Sequence, residues 1–137
     1  PIAKVTTRMS SDNYIQLMDD VLIPFTDDFM DDYFIFVQDN ASIHKSKKTM
    51  EWFSNKNIVV LHWPSRSPDM NPIENLWGIL VRRVYSRGCK FSSIQALEIE
   101  VRNCWRNLST QILETLVNSM QNRLIELIRK NGHETKY

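Results

Sequence analysis

Two unbroken apolar runs, separated by one helix-length segment, constrain this chain more than any other feature. The first is Phe34-Ile35-Phe36-Val37 and the second is Ile58-Val59-Val60-Leu61. Neither alternates between apolar and polar residues, so each is expected to be a parallel strand covered on both faces. Parallel strands need a crossover of a dozen or more residues. Lys45 to Asn57 has that length and an apolar side made by Met50, Trp52 and Phe53. Strand, helix and strand together read as a right-handed βαβ unit. In such sheets ligands gather at the carboxyl ends of the strands. Asp39 stands at that end of the first strand, and Glu74 follows the second after a loop, at the start of a helix. Two carboxylates approaching one another at one sheet edge point to a divalent-metal site.

The loop from His62 to Pro72 carries Pro64, Pro68 and Pro72, which stiffen it and lower the entropy lost on ordering. Asn71 is placed to cap a helix, with Pro72 at the first helical position and Glu74 three residues past the cap. Glu74 can therefore be the reciprocal half of a capping box. It can equally be a ligand that the helix dipole holds ionised, and spacing leaves both readings open. Lys45, Lys47 and Lys48 crowd the start of the crossover helix, where they oppose its dipole. A nearby polyanion would account for them, and so would plain solubility.

On the N-terminal side, Ile2 to Thr7 reads as a short strand. Ser10-Ser11-Asp12 offers caps to a helix with Tyr14, Ile15, Met18, Val21 and Leu22 on its apolar side, ended by Pro24. Thr26 to Tyr33 reads as an acidic, solvated connector with Asp27, Asp28, Asp31 and Asp32. On the C-terminal side, a helix runs from Leu76 through Ile79, Leu80, Val84 and Tyr85, with Arg82, Arg83 and Arg87 on its later turns and Gly88 as its stop. Ser92 with Gln95 forms a second capping box ahead of Ile94, Leu97, Val101, Cys104, Trp105 and Leu108. Ser109 caps a last helix whose stripe is Ile112, Leu113, Leu116, Val117, Met120, Leu124, Leu127 and Ile128, ended by Gly132. Both stripes are expected to be core or helix–helix contact.

With 137 residues the chain is expected to be one domain with a core of its own. A net charge of +1 leaves any nucleic-acid footprint to local basic clusters. Cys89 and Cys104 are too far apart for a CxxC site and read as reduced thiols of an intracellular protein. No run reaches the ~18 apolar residues of a membrane span, and no secretory signal opens the chain. Because it opens on Pro1, the chain reads as a piece of a longer protein.

Several blocks fall in one order: Asp39-Asn40-Ala41 with His44, Trp63-Pro64, Ser67-Pro68-Asp69, and Asn71-Pro72-Ile73-Glu74-Asn75-Leu76-Trp77. Together they resemble the Tc/mariner superfamily of DNA transposases. The spacing agrees, with thirty-four residues between Asp39 and Glu74 (74 − 39 − 1), as in the branch whose third acid is Glu. The resemblance covers essentially the whole chain. It implies an α/β fold: an RNase H-like mixed sheet with flanking helices, here lacking the first strands and followed by C-terminal helices. Residues 1–137 would then be a partial catalytic domain, with its helical C-terminal part at about 92–132. The resemblance also implies a three-acid site holding two Mg²⁺ or Mn²⁺ ions, in which Asp39 matches the second acid and Glu74 the third. The activity it implies is cut-and-paste transposition, by metal-dependent DNA cleavage and strand transfer. The partners would be transposon ends and target DNA in a nucleus, with a homodimer allowed and with neither membrane nor small-molecule substrate. Asn40 and His44 are candidates for supporting or DNA-contacting groups. Lys45, Lys47, Lys48, Arg66, Arg82 and Arg83 are candidates for the phosphate backbone.

The chain departs from the family pattern at the first acid. Asp12, Asp19 and Asp20 fall in or near a helix, the remaining N-terminal acids fall in the acidic connector, and none ends an apolar strand. The paired helix-turn-helix domains of the family are not among these residues either. Two expectations follow: Phe34 to Val37 exposes an unpaired edge, and the chain alone neither cleaves nor joins DNA. The rival reading is a non-catalytic, transposase-derived module that binds DNA or protein. A two-carboxylate glycosidase would explain the acids but not the proline-rich block.

Overall fold

The computed structural model describes residues 1–5, 8–29, 33–86, 88 and 90–137. Thr6 and Thr7 of the expected first strand, together with Asp31, Asp32, Arg87 and Cys89 named above, lie outside the described residues. The chain forms two compact units, Pro1–Ser65 and Arg66–Tyr137.

Residues 2–5, the described part of the expected Ile2–Thr7 strand, form no strand and pair with none among the described residues; β-branched residues alone do not make one. Ser10 caps α1 (Ser11–Leu17) through a closed box: its Oγ accepts from Asn13 N at 3.1 Å, and its own N–H donates to Asn13 Oδ1 at 3.2 Å. A π-helical turn over Met18–Leu22 leads directly into α2 (Ile23–Phe29). Pro24 therefore does not end the helix. The wider turn restarts the hydrogen-bond register, and Pro24 falls in the new first turn, where a missing N–H is tolerated. The acidic connector accordingly starts later than expected. Thr26 is buried within α2, its hydroxyl donating to Ile23 O at 2.9 Å.

β1 (Ile35–Phe36) and β2 (Val59–Val60) pair in parallel, Ile35 opposite Val59 and Phe36 opposite Val60, and α3 (Lys47–Asn55) is the crossover. Leu61 N extends the pairing to Phe36 O at 2.8 Å. This is the part of the expected mixed sheet visible among the described residues, and there β1 pairs with β2 alone. Ser46 caps α3, accepting from Thr49 N at 3.2 Å. Phe53 of α3, 1% exposed, packs on Phe36 with ring centroids 5.3 Å apart and on Trp52 at 5.0 Å. The other face of the ribbon is not covered as expected: Ile35, Val37, Val59 and Leu61 are 42–48% exposed. The runs lack alternation, yet one helix on one side shields only the Phe36 and Val60 side.

In the second unit a 3-10 turn, Pro68–Met70, leads into α4 (Pro72–Val84), followed by α5 (Ile94–Arg106) and α6 (Thr110–Arg129). α4 packs against both later helices. Its stripe Leu76, Leu80 and Val84 is buried, and Trp77 stacks on Trp105 of α5 at 5.7 Å. Tyr85 is exposed rather than part of this stripe, because α4 ends at Val84. The cap of α5 is Ser93, accepting from Ala96 N at 3.1 Å, one residue past the Ser92–Gln95 box read from spacing.

α6 differs most from expectation. Its apolar residues split into two ridges. Ile112, Leu116, Met120 and Leu127 are half-buried, whereas Leu113, Val117, Leu124 and Ile128 are exposed. The buried residue of this helix is Arg123, 1% exposed. It continues the inner ridge at helical spacing, between Met120 and Leu127. Its Nε donates to Ser119 Oγ at 2.9 Å, its Nη2 to Asn75 Oδ1 at 2.7 Å and its Nη1 to the Asp69 carbonyl, while Tyr137 lies under the guanidinium at 4.6 Å. Asp69 in turn accepts from Thr135 N on Oδ2 at 2.7 Å, tying the segment after α6 to the 3-10 turn.

Removing the guanidinium leaves the Asp69 carbonyl and the Asn75 amide without their partner. Arg123→Ala is expected to destabilise the second unit by about 2–4 kcal/mol, read as the shift of its urea midpoint. Burial pushes the Asp69 carboxyl upward, but the Thr135 N–H and neighbouring amides outweigh it and hold its pKa below the usual value. A depressed folded pKa means that this contribution is complete above the unfolded value of about 3.9 and is lost as pH falls through the folded one. Acid titration followed by circular dichroism should therefore show Asp69→Asn losing less stability than the parent below pH ~4.

Candidate active site

The first unit holds Asp39 where β1 gives way to a tight turn. Ala41 N donates to Asp39 Oδ1 at 2.9 Å, an Asx turn that places the carboxylate beside its own backbone. His44 Nδ1 lies 2.6 Å from the same oxygen. The pKa of Asp39 is held below the ordinary carboxylate value, first by the Ala41 N–H, with burial opposing and the His44 bond and charge assisting. An ionised acceptor at that distance requires the proton to sit on Nδ1. Both hydrogen bonds of the carboxylate fall on Oδ1, so Oδ2 carries none among the described residues. The side chain is 66% exposed.

A second layer lies behind this one. Tyr14 Oη donates to Gln38 Oε1 at 2.8 Å, and Gln38 Nε2 donates to the His44 carbonyl at 3.1 Å. The Tyr14 ring also packs on the His44 ring, with centroids 4.3 Å apart. Burial, with the Asp39 charge adding, pushes the Tyr14 phenol up to about 12, so it remains a donor near neutral pH. Asn40 faces elsewhere: its amide donates to Trp63 O at 2.7 Å and Ser65 Oγ at 3.3 Å, bracing the end of β1 against the loop after β2. A cavity of about 130 Å³ opens beside the carboxylate, lined by residues including Asp39, Lys45, His62 and Trp63.

The basic candidates divide by partner. Lys47 pairs with Glu51 at 3.7 Å and Lys48 with Asp12, while Lys45 is exposed and carries no ion pair among the described residues. In the second unit Arg83 donates to Asn107 O at 3.0 Å, holding the end of α5. Arg66 and Arg82 are exposed without a hydrogen bond among the described residues. Arg66 sits at φ 56, the left-handed region, which turns the chain into the 3-10 segment.

Glu74 occupies the first turn of α4 in the second unit. Asn71 caps that helix, accepting from Ile73 N at 3.4 Å, but the reciprocal bond of a capping box is not made. The Asn71 N–H is already used by Pro68 O at 3.0 Å. The Glu74 side chain is exposed and has no hydrogen bond or ion pair among the described residues, so of the two readings open in the sequence the capping box is not formed. No cluster of three or more His, Cys, Asp or Glu side chains suited to a metal occurs among the described residues.

The βαβ frame thus carries Asp39 at its carboxyl edge, and Glu74 opens the first helix of the second unit. Residues 1–98 match the family model described as DDE superfamily endonuclease. The chain belongs to that family, in its Tc/mariner transposase branch. It is 41% identical over 133 residues to the Tc3 transposase of Caenorhabditis elegans, covering 97% of this chain and 40% of that protein. The Tcb2 transposase of Caenorhabditis briggsae and the Tc1 transposase of Caenorhabditis elegans are 31% and 32% identical over 137 residues, 50% of each relative. The chain thus spans half or less of the length of these relatives. Among solved structures, the Mos1 transposase catalytic domain, determined with raltegravir and Mn, superposes with a TM-score of 0.83 at 16% identity. That match covers 97% of this chain and 68% of the other and shows the RNase H-like fold.

Reading residues alone missed Tyr14 and Gln38. Tyr14 looked like one more member of an apolar stripe, and Gln38 differs from other strand-end residues only in standing next to the acid. Because Glu74 makes no cap bond, Glu74→Gln should change stability by less than about 0.5 kcal/mol. Asn71→Ala should cost about 1 kcal/mol. Urea denaturation of both variants checks the contrast, and equal losses would restore the capping role of Glu74.

Proposed function

We propose that this chain supplies two acids, Asp39 and Glu74, and part of the DNA-contacting surface of a cut-and-paste DNA transposase. The observation that carries the reading is an ionised Asp39 at the carboxyl edge of a parallel strand, with one oxygen uncommitted, in a chain of this family. Hard, ionised carboxylate oxygens suit Mg²⁺ or Mn²⁺, and an exposed Glu74, unbonded among the described residues, suits the same task. Asp39 and Glu74 would hold the ions, two in number, which supply Lewis-acid stabilisation of the attacking and leaving oxygens in phosphodiester displacement.

The chain's own residues do the rest. Ala41 N–H and His44 keep Asp39 charged. Lys45, in the cavity beside it, and the exposed Arg66 and Arg82 would take DNA phosphates. Lys47, Lys48 and Arg83 would reach DNA only by giving up their present partners, and Asn40 would act through its brace on Trp63. Water, and later a DNA 3′-hydroxyl, would be the attacking groups. The sequence matches no residue to the family's first acid, so that carboxylate would come from outside these 137 residues. Work on genomic DNA would place the protein in the nucleus of a eukaryote.

Incubated with terminal-repeat DNA and Mg²⁺ or Mn²⁺, the 137-residue chain should cleave no more than its Asp39→Ala variant. Joined to a segment bearing the family's first acid, it should cleave, and Asp39→Ala or Glu74→Ala should abolish this. Failure of the joined protein with both acids intact would favour the non-catalytic module. DNA binding by the chain should be weak, with log affinity falling against log salt by about 0.9 per phosphate contact on B-DNA. Lys45→Ala should lower that slope by about 0.9, whereas Lys47→Ala should change it less. Tight binding that survives high salt would contradict the assignment.

A further inference from the structure

We infer that Tyr14 and Gln38 are positioning residues that orient the Asp39 carboxylate through His44, fixing Oδ1 and leaving Oδ2 as the ligand atom. The inference rests on Asp39 being a metal ligand. It goes beyond that reading by assigning work to two residues outside the motif blocks read from the sequence.

The geometry runs in one direction. Asp39 is two-thirds exposed, and its turn restrains one oxygen through Ala41 N. A single bond leaves the carboxylate plane free to rotate about it. The second restraint on Oδ1 is His44 Nδ1, so the direction of that N–H decides where Oδ2 lies. His44 is itself held twice by the layer behind it. Gln38 Nε2 holds its carbonyl at 3.1 Å, and the Tyr14 ring lies against its imidazole at a centroid distance of 4.3 Å. Tyr14 Oη then holds Gln38 Oε1 at 2.8 Å, so the two clamps are joined to each other. Tyr14 is 6% exposed and comes from α1. Its phenol stays protonated near neutral pH and so remains a donor to Gln38. Supporting groups of this kind typically alter metal affinity about 10- to 100-fold when removed. One layer further back, the effect should be at or below the lower end of that range.

A purely structural Tyr14 would lower the melting temperature when trimmed and do nothing else. Tyr14→Phe keeps the ring and the packing, and Gln38→Met keeps the volume, so both should fold. The first measurement needs no metal. In proton spectra of the 137-residue chain, the His44 Nδ1 proton should exchange with water about tenfold faster in Tyr14→Phe and in Gln38→Met than in the parent. The second is Mn²⁺ titration followed by paramagnetic broadening of resonances near residue 39. Asp39→Ala should remove the broadening, and His44→Ala should weaken affinity about tenfold. Tyr14→Phe should weaken it about three- to tenfold in the parent and not at all in the His44→Ala background. His44→Asn, which places an amide N–H where Nδ1–H stood, should recover most of the loss. Unchanged proton exchange in both variants overturns the inference. So does an unchanged Mn²⁺ affinity in Tyr14→Phe where Asp39→Ala abolishes binding, or the full Tyr14→Phe effect without His44. Failure of the metal reading looks different: Mn²⁺ broadening that Asp39→Ala does not reduce. The exchange measurement then decides the positioning role alone.

Discussion

The parallel pairing of β1 with β2 is the constraint on which the first unit turns. Two strands of two residues each provide few hydrogen bonds, so the ribbon depends on its crossover for stability. Phe53 fills the space under Phe36, and Thr49, wholly buried, donates to Ile43 O at 2.7 Å, fixing the turn that precedes α3. Since the strands run the same way, both end at the same edge. Asp39 and the loop beginning at His62 are therefore neighbours by topology, and Asn40 records this by reaching Trp63 across the gap. A frame of so little backbone pairing still places the acid, because the helix behind it is packed tightly.

Asp39 and Glu74 are prepared in different ways. Asp39 is restrained by a turn amide, an imidazole and a layer behind the imidazole. Glu74 stands in the first turn of its helix, exposed and without a hydrogen bond or ion pair among the described residues. A restrained carboxylate loses little entropy when it binds, and a free one loses more but adapts its rotamer. The charge of Glu74 still benefits from the first-turn dipole of α4.

The pattern of the chain revealed the βαβ frame, the helices and the positions of both acids, since these follow from period, length and caps. It was less informative where tertiary contact decides. Pro24 looked like a stop because the π turn before it has no signature in composition. The stripe of α6 looked like core because apolar periodicity does not show how wide a neighbour will be, and α4 covers only the inner ridge. The signal for Arg123 was present: a cation at 116, 120, 123 and 127 spacing occupies an inward position and demands partners. Asp69 and Asn75, inside the motif blocks, supply them through a carbonyl and an amide. Part of what made those blocks distinctive is thus architecture rather than chemistry. Tyr14 could not be found from spacing at all, since twenty-four positions separate it from Gln38.

The occupied oxygen of Asp39 bears on which cation the proposed site would favour. With both donors on Oδ1, a cation held as proposed would meet one open oxygen of this side chain rather than a chelating pair. Calcium favours six to eight oxygens and often draws two from a single carboxylate, whereas magnesium takes six at short range and keeps several of its own waters. If Asp39 holds a cation as proposed, a one-toothed carboxylate would serve the larger ion poorly, and the turn amide of Ala41 would act as a size filter without touching the metal.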